Sequence, residues 1–298
     1  MIHKNTDIES RLGLAAGLGA FSIWGMAPVY FKQLAGVGAD EIIAHRVVWS
    51  VLFLALVLFI RKRFAVLAHL RISWREFQAL CLTAGLIGVN WLVFVHAVNT
   101  DRILSTSLGY FINPLMSVLL GLVVFRERLV PAQTLAVFIA AAGTGYMAWK
   151  IGQIPWISLS LAASFAAYGV IRKLLDVGPM VGLFWETLVV SPLALIWIWR
   201  LAIDERLAFD WLEPSSALLL AGTGVLTVAP LLLFAAGVRR VPLTTIGLMQ
   251  YLAPSITFIL AVFVYGEPFT MDHAITFGLV WLGLALFFWA GWQRSRPA

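Results

Sequence analysis

Two charged side chains lie inside long apolar stretches, and they are the first candidates for chemistry in this sequence. Arg46 lies about seven residues into the apolar stretch 40–60, and Glu186 lies about seven residues into the stretch 179–199. Ionisable groups within a bilayer are costly, so those found there usually belong to substrate or ion pathways. We predict that both bind a substrate, with Glu186 as the proton carrier if transport is proton-coupled. The alternative is that Arg46 snorkels and Glu186 is buried in its neutral form.

Polar and aromatic residues near two prolines form a second group. A proline removes one helix hydrogen bond and kinks the helix, which frees carbonyl groups beside it. Asn, Gln and Tyr side chains can donate and accept next to such kinks, and deep tryptophans can line a pocket. The alternative is hydrogen bonding between helices with no ligand. The predicted substrate contacts of this group are Trp24, Trp49, Asn90, Trp91, Tyr110, Asn113, Gln250 and Tyr251, and the predicted kinks are at Pro114 and Pro254.

Ten apolar stretches must position these residues. The chain has 298 residues, a mean hydropathy of +0.91 and 12% charged residues, a combination that ordinary soluble domains lack. Most stretches approach or exceed the ~20 residues that cross a bilayer as a helix, and they are too long and too uniformly apolar for barrel strands. The predicted helices cover residues 12–31, 40–60, 76–97, 103–125, 131–149, 154–171, 179–199, 214–236, 242–264 and 271–292.

The ten stretches read as five followed by five. Residues 108–149 align without a gap on residues 248–289, with a matching proline and a matching glutamate in each. The same offset pairs Arg46 with Glu186, which are opposite in charge. Under inverted symmetry each would lie about 5 Å from the midplane, so they would differ by about 10 Å in depth. That distance suits a bridge through water or a zwitterionic ligand better than a direct salt bridge.

Five is an odd number, which decides the symmetry of the predicted fold. The second half would enter the membrane from the opposite side, giving an inverted-topology repeat with a site near the midplane. We predict an all-α integral membrane protein of ten transmembrane helices, arranged as two five-helix inverted repeats around a central cavity. The first repeat comprises residues 1–150 (helices 1–5) and the second comprises residues 151–298 (helices 6–10).

The charge distribution predicts the orientation. Lys and Arg cluster in the loops on one side of the ten stretches, and acidic residues are more frequent on the other. The positive-inside rule therefore puts both termini in the cytoplasm. The net charge of +6 then reflects cytoplasmic anchoring, and we predict no nucleic-acid partner.

Several classes of chemistry have no motif here. The sequence has no GxxxxGK[ST] loop, no HExxH or Cys/His zinc spacing and no GxSxG elbow. We therefore predict no ATP use, no metal, no cofactor, no catalytic residues and no enzymatic activity. The single cysteine, Cys81, excludes an intramolecular disulfide.

Seven segments resemble a known family, the RarD family of EamA-type permeases in the drug/metabolite transporter superfamily, over nearly the whole chain. They are IWGMAPVYFK at 23–32, ADEIIAHRVVWS at 39–50, GVNWLVFVHAVN at 88–99, LGYFINPL at 108–115, ASFAAYGVIRK at 163–173, WETLVVSPLA at 185–194 and MQYLAPSITFILAVFVYGEP at 249–268.

The resemblance implies a function and a set of residues. It implies ten helices, two EamA repeats and secondary transport, usually export of metabolites or drugs, in the bacterial inner membrane. It adds Lys32 and His45 to the functional positions, and we assign them with Glu186 to gating or coupling. The remaining positions that it implies are Trp24, Arg46, Trp49, Asn90, Trp91, Tyr110, Asn113, Gln250 and Tyr251.

Three hypotheses follow. The first is a transporter of a small amphipathic or amino-acid-like metabolite, and the second is a flippase for lipids or lipid-linked sugars. The third, a membrane scaffold or receptor, is disfavoured because the longest hydrophilic loops are too short to hold a domain. The partners are then a small-molecule substrate and the lipid bilayer. Substrate identity, direction, coupling ion and the choice between monomer and homodimer stay open.

Overall fold

The computed structural model describes residues 2–34, 36–60, 73–99, 103–152, 156–210, 214–266 and 269–295, and the described part contains no strand. Its helices coincide with the apolar stretches, because a chain segment without water must pair its backbone groups internally. They are α1 (Ile2–Phe31), α2 (Ala39–Ile60), α3 (Trp74–Asn99), α4 (Ile103–Val124), α5 (Pro131–Ile151), α6 (Trp156–Leu174), α7 (Pro179–Ile203), α8 (Pro214–Val238), α9 (Leu243–Met249), α10 (Leu252–Ile259) and α11 (Met271–Ser295).

Eight spans in the described chain are long and apolar enough to cross a membrane. One of them, 243–264, joins α9, α10 and a π-turn at Leu260–Val264 into a single rod. The two helices outside this set are α5 and the shorter apolar helix Gly109–Val124 within α4. The all-helical membrane class is therefore confirmed, whereas the count of ten spans in two repeats stays a prediction.

The two matching prolines behave differently. The helix containing Pro254 is interrupted at Gln250 and Tyr251, which separate α9 from α10. Pro254 has no N–H to donate to the carbonyl of Gln250 four residues earlier, so this break is where proline predicts it. Helix α4 continues through Pro114 without interruption. The structure has a break between α9 and α10 and none at Pro114, and the kinks at the two prolines stay a prediction.

Helices from the two halves of the chain interleave. The most extensive contacts join α5 with α11, α4 with α6 and with α9, α1 with α8, and α2 with α7 and α8. Additional contacts join α3 with α6 and α7, and α1 with α10. Each of these pairs takes one helix from residues 1–151 and one from residues 156–295. The core therefore lies between the halves more than within either.

One end of the bundle is closed by apolar packing and polar cross-links. We call it the sealed end; it carries residues 125–130, 175–178 and 239–242. A core cluster from α1, α6, α8 and α9 lies there, including Phe21, Tyr168, Phe234, Val238 and Ile246. All five of these side chains are buried. The other end, which carries residues 36–38 and 204–210, is called the opposite end.

Polar contacts join the segments at the sealed end. Glu127 accepts hydrogen bonds from the backbone N–H groups of Leu243 (2.7 Å) and Thr244 (2.9 Å), at the start of α9. Lys173 forms an ion pair with Glu127 at 3.7 Å and donates to the carbonyl of Val241 at 2.6 Å. A carboxylate at a helix N-terminus meets unpaired N–H groups and the positive end of the helix dipole. Glu267, the repeat counterpart of Glu127, lies outside the described residues.

Two repeat-equivalent glycines allow α5 and α11 to approach closely. A Cβ added at Gly283 would lie 2.7 Å from the carbonyl oxygen of Ala136, and one at Gly143 would lie 3.0 Å from the carbonyl oxygen of Thr276. In α11, Gly278 has no atom within 4 Å of the same virtual Cβ.

This contrast makes a stability prediction. We expect Gly283→Ala to lower the apparent unfolding temperature of the purified protein, because a forced backbone shift costs about 1–3 kcal/mol. Gly278→Ala on the same helix is the matched control and should unfold with the wild type. Equal unfolding temperatures for Gly283→Ala and the wild type would contradict the close contact.

Candidate functional site

Arg46 lies on α2 between aromatic rings. Its Nε–H donates to the hydroxyl of Thr227 on α8 at 2.9 Å, and Thr227 in turn donates to the carbonyl of Thr223 at 2.7 Å. The guanidinium carbon lies 5.2 Å from the ring centre of Trp91 and 5.7 Å from that of Phe31. Each ring face attracts the cation, by about 0.5–2 kcal/mol. These contacts fix the position of the arginine while leaving its two terminal nitrogens for other partners.

A glycine on α8 makes this placement possible. A Cβ at Gly224 would lie 2.6 Å from the backbone carbon of Trp49, so only glycine lets α2 and α8 approach this closely. Ser50 next to this contact donates to the carbonyls of Arg46 and Gly224. The backbone of α2 is therefore held against α8 one turn from Thr227.

A half-exposed tyrosine on α4 lies near Arg46. Tyr110 is 52% exposed although it lies on an apolar helix, and its hydroxyl is within electrostatic range of the Arg46 guanidinium. Arg46 itself is partly exposed. Among the described residues, no carboxylate lies within 4.0 Å of it. The arrangement places a hydroxyl and two aromatic rings around one cation.

Glu186 occupies a separate, enclosed position on α7. One carboxylate oxygen accepts a hydrogen bond from Thr83 at 2.7 Å and lies 3.5 Å from Nη1 of Arg172. The other accepts from the hydroxyl of Tyr168 at 3.3 Å. Glu186 is 5% exposed and Arg172 is 1% exposed. This is a buried ion pair in which the carboxylate has three partners.

Arg172 is less well satisfied than the carboxylate. Its Nη2 donates to the carbonyl of Pro179 at 3.3 Å, but Nε and Nη1 make no hydrogen bond within the described structure. The guanidinium lies against the backbone of Gly182, where any Cβ would collide with it. Its charge is therefore compensated chiefly by Glu186, and loss of that carboxylate would leave a buried cation.

Trp91 connects the two positions. A small cavity of about 20 Å³, enough for about one water molecule, is lined by Trp91, Glu186, Tyr168, Ile87 and Leu231 among others. The same indole packs against Arg46. A change in the position of Trp91 would therefore alter the surroundings of both Arg46 and Glu186.

Three predicted contacts instead join helices. Asn90 donates to the carbonyl of Leu161 and to Ser164, linking α3 to α6. Gln250 donates to Ser117 at 2.8 Å, linking the end of α9 to α4. The Tyr251 hydroxyl bonds with Thr144 and the carbonyl of Phe111 and is fully buried. Such interhelical bonds are the ligand-free alternative stated above for these residues.

Two predicted gating residues lie toward the opposite end. Lys32 has its ammonium 3.2 Å from the ring centre of Tyr265, after the π-turn. His45 stacks on Phe209 at 4.8 Å and accepts a hydrogen bond from Trp49 at 3.2 Å. The contacts of Lys32 with Tyr265 and of His45 with Phe209 tie the first half of the chain to the second. Gating by Lys32 and His45 stays a prediction.

Two further predicted residues have distinct surroundings. Trp24 packs in an aromatic group with Phe21, Phe165 and Phe234, toward the sealed end. Asn113 has a buried side-chain oxygen without a hydrogen-bond partner in the described structure. The structure thus brings together Arg46, Trp91 and Tyr110, and distributes the other predicted contacts around them.

Sequence reasoning missed the partners of both charges. Arg172 lies beside Lys173 near the end of an apolar stretch, a position typical of the loop cations that set orientation. Its burial shows that it belongs to Glu186 instead. Thr83, Tyr168 and Thr227 were missed since one hydroxyl on an apolar helix carries no signal of its neighbour.

Comparisons with known proteins agree with one another. A family profile described as "EamA-like transporter family" matches residues 154–289. An "Uncharacterized transporter" of Vibrio cholerae is 42% identical over 293 residues, 97% of this chain and 96% of that protein. "Protein RarD" of Escherichia coli is 40% identical over 94% of each chain, and "Chloramphenicol-sensitive protein RarD" of Pseudomonas aeruginosa is 31% identical over 96% of each.

A crystal structure supports the fold alone. It aligns with a TM-score of 0.73 at 20% identity and covers 94% of this chain and 99% of the solved chain.

The buried pair makes a double-mutant prediction. Arg172→Met and Glu186→Gln should each lower stability, by about 3–5 kcal/mol for a pair broken on one side. The double variant should lose much less than the sum, because neither charge is then left alone. The measurement is the apparent unfolding temperature of purified protein in detergent.

The exposed pair Arg200 and Asp204, 3.2 Å apart, is the control. Its coupling should be at most about 1 kcal/mol. Strictly additive losses for Arg172 and Glu186 would rule out the ion pair as a stabilising contact.

Proposed function

The chain belongs to the RarD group of the EamA-like transporter family, and on this premise we propose that it is a secondary transporter of small metabolites or drugs. It would export them across the bacterial inner membrane by alternating access, with no enzymatic step. The observation that carries the proposal is a helix-interior arginine, Arg46, which packs on Trp91 and interacts electrostatically with Tyr110. We assign substrate contact to these three residues and coupling to Glu186.

The packing pattern supports a ten-helix arrangement in two repeats. Exchanging the halves turns α1 into α6, α2 into α7, α3 into α8, α4 into the α9–α10 rod and α5 into α11. The contact of α1 with α8 then becomes that of α6 with α3, and the contact of α4 with α6 becomes that of α1 with the rod. The pairs α2–α7 and α5–α11 map onto themselves. The family profile matches residues 154–289, which lie within the proposed second repeat.

We propose that the sealed end is the cytoplasmic end. Lys and Arg predominate in its loops, as the positive-inside rule requires. The described conformation would then face outward, with Tyr110 exposed and the core around Phe234 closed. Opening toward the cytoplasm would require Glu127 to leave the start of α9.

Glu186 is the proposed coupling group. A proton on Glu186 would cancel its attraction for Arg172 and leave that guanidinium uncompensated in a low-dielectric site. Proton binding would therefore favour separation of α6 from α7 near the sealed end. Trp91 would transmit this change to the substrate, because it borders both Arg46 and the cavity at Glu186.

Orientation can be tested with cysteine labelling. In a Cys81→Ser background we expect Glu205→Cys at the opposite end to react with a membrane-impermeant maleimide in intact cells. Arg128→Cys at the sealed end should react only after the membrane is disrupted. Both side chains are exposed, so access to the reagent and not burial decides the result. The reverse labelling pattern would overturn the orientation.

Transport and coupling can be tested together in proteoliposomes. We expect uptake of a small metabolite or of chloramphenicol to rise several-fold with an imposed pH gradient, and Glu186→Gln to abolish that dependence. The loop variant Glu205→Gln serves as the control and should retain wild-type flux. Flux that ignores both the gradient and Glu186→Gln would leave a facilitator or exchanger. Lipid movement without solute flux would favour the flippase hypothesis.

A further inference from the structure

We infer that the substrate is an organic anion, a carboxylate with an apolar or aromatic body, and this inference rests on the proposed transport function. It starts from the charges of the described interior residues. Arg172 is paired with Glu186, and Lys173 is paired with Glu127. Among the described residues, the groups beside the Arg46 guanidinium include two hydroxyls, of Thr227 and Tyr110, and the rings of Trp91 and Phe31. Within the described chain, Arg46 is the helix-interior cation without a carboxylate.

The interior carboxylates, in contrast, are already committed. Glu186 accepts from Thr83 and Tyr168 and pairs with Arg172. Glu41 accepts three hydrogen bonds from the backbone N–H groups of Ala208 and Phe209. A substrate ammonium group would thus find no unengaged carboxylate among the described residues near Arg46. The site is balanced for an anion and not for a zwitterion.

The geometry at Arg46 fits a carboxylate. Because Nε is used by Thr227, both terminal nitrogens can form the two parallel hydrogen bonds that a carboxylate accepts from arginine. Bringing an anion to this cation also removes the cost of an uncompensated charge in a low-dielectric site.

The walls determine the rest of the molecule. Trp91 and Phe31 flank the guanidinium and present apolar ring surfaces beside it. A hydrocarbon chain or a ring attached to the carboxylate would be buried against these surfaces. A strongly hydrated body such as a sugar would lose hydrogen bonds there that the rings cannot replace.

Matched pairs of ligands test the inference. Binding of radiolabelled benzoate, 3-phenylpropanoate and octanoate to purified protein would be compared with binding of their uncharged amides. We expect each carboxylate to bind about tenfold or more tightly than its amide, and Arg46→Gln to remove this preference. Arg46→Lys should restore part of it, since the charge returns without the planar fork.

Controls separate the anion site from folding and from transport. Arg200→Gln removes an exposed arginine and should bind as the wild type does. Size-exclusion profiles of the Arg46 variants should match the wild type. Equal binding of carboxylates and amides, or no binding of either, would overturn the anion inference. Carboxylate binding without flux in proteoliposomes would keep the anion site and overturn the proposed transport function.

Discussion

A charge in the interior of a bilayer must be compensated by hydrogen bonds or an opposite charge. The arrangement of this protein follows from the partners of its buried carboxylates. Glu186 is met by Thr83 and Arg172, and Glu127 by the start of α9 and by Lys173. The contact of Thr83 with Glu186 and the contacts of Glu127 run from residues 1–150 to residues 151–298, whereas Arg172 lies in the same half as Glu186. Glu41 joins the halves at the opposite end by accepting from Phe209. The polar groups that the membrane penalises are thus the groups that hold the halves in register.

The apolar packing has the same character. Helices of the two halves interleave, and glycines at Gly143, Gly224 and Gly283 let their backbones meet. An apolar side chain has nearly the same free energy in lipid as against another helix. Close packing and hydrogen bonds must therefore supply the preference for contact between helices. Any motion that exposes Arg46 to the sealed end has to slide these faces past one another. The hydrogen bonds of Glu127 to α9 lie where that motion would begin.

Much of the helical frame could be predicted, because an apolar stretch in a membrane has few alternatives to a helix. The positions of Arg46 and Glu186 could also be predicted, because a single charged residue is easily recognised within an apolar stretch. Their partners could not. Helix α2 is apolar on its lipid face and on its core face alike, so its sequence contains no stripe that fixes its rotation about its axis. The segment that contains Gln250 and Tyr251 is likewise apolar around these residues. Its sequence predicts contact with a ligand, and the structure has both side chains between helices.

Under the proposed alternating access, the opposite charges at Arg46 and Glu186 would make the two conformations unequal in energy. Two identical inverted halves would give outward-facing and inward-facing states of equal energy, because exchange of the halves converts one state into the other. Here the two equivalent positions differ. The first half has Arg46, which is partly exposed, and the second half has Glu186, which is paired with Arg172. The carboxylate with its three partners holds the sealed end, while the arginine has no carboxylate in the described structure to close the other end. In the proposed mechanism, the inequality of these equivalent positions would set the resting state, and an anion at Arg46 would supply the missing charge.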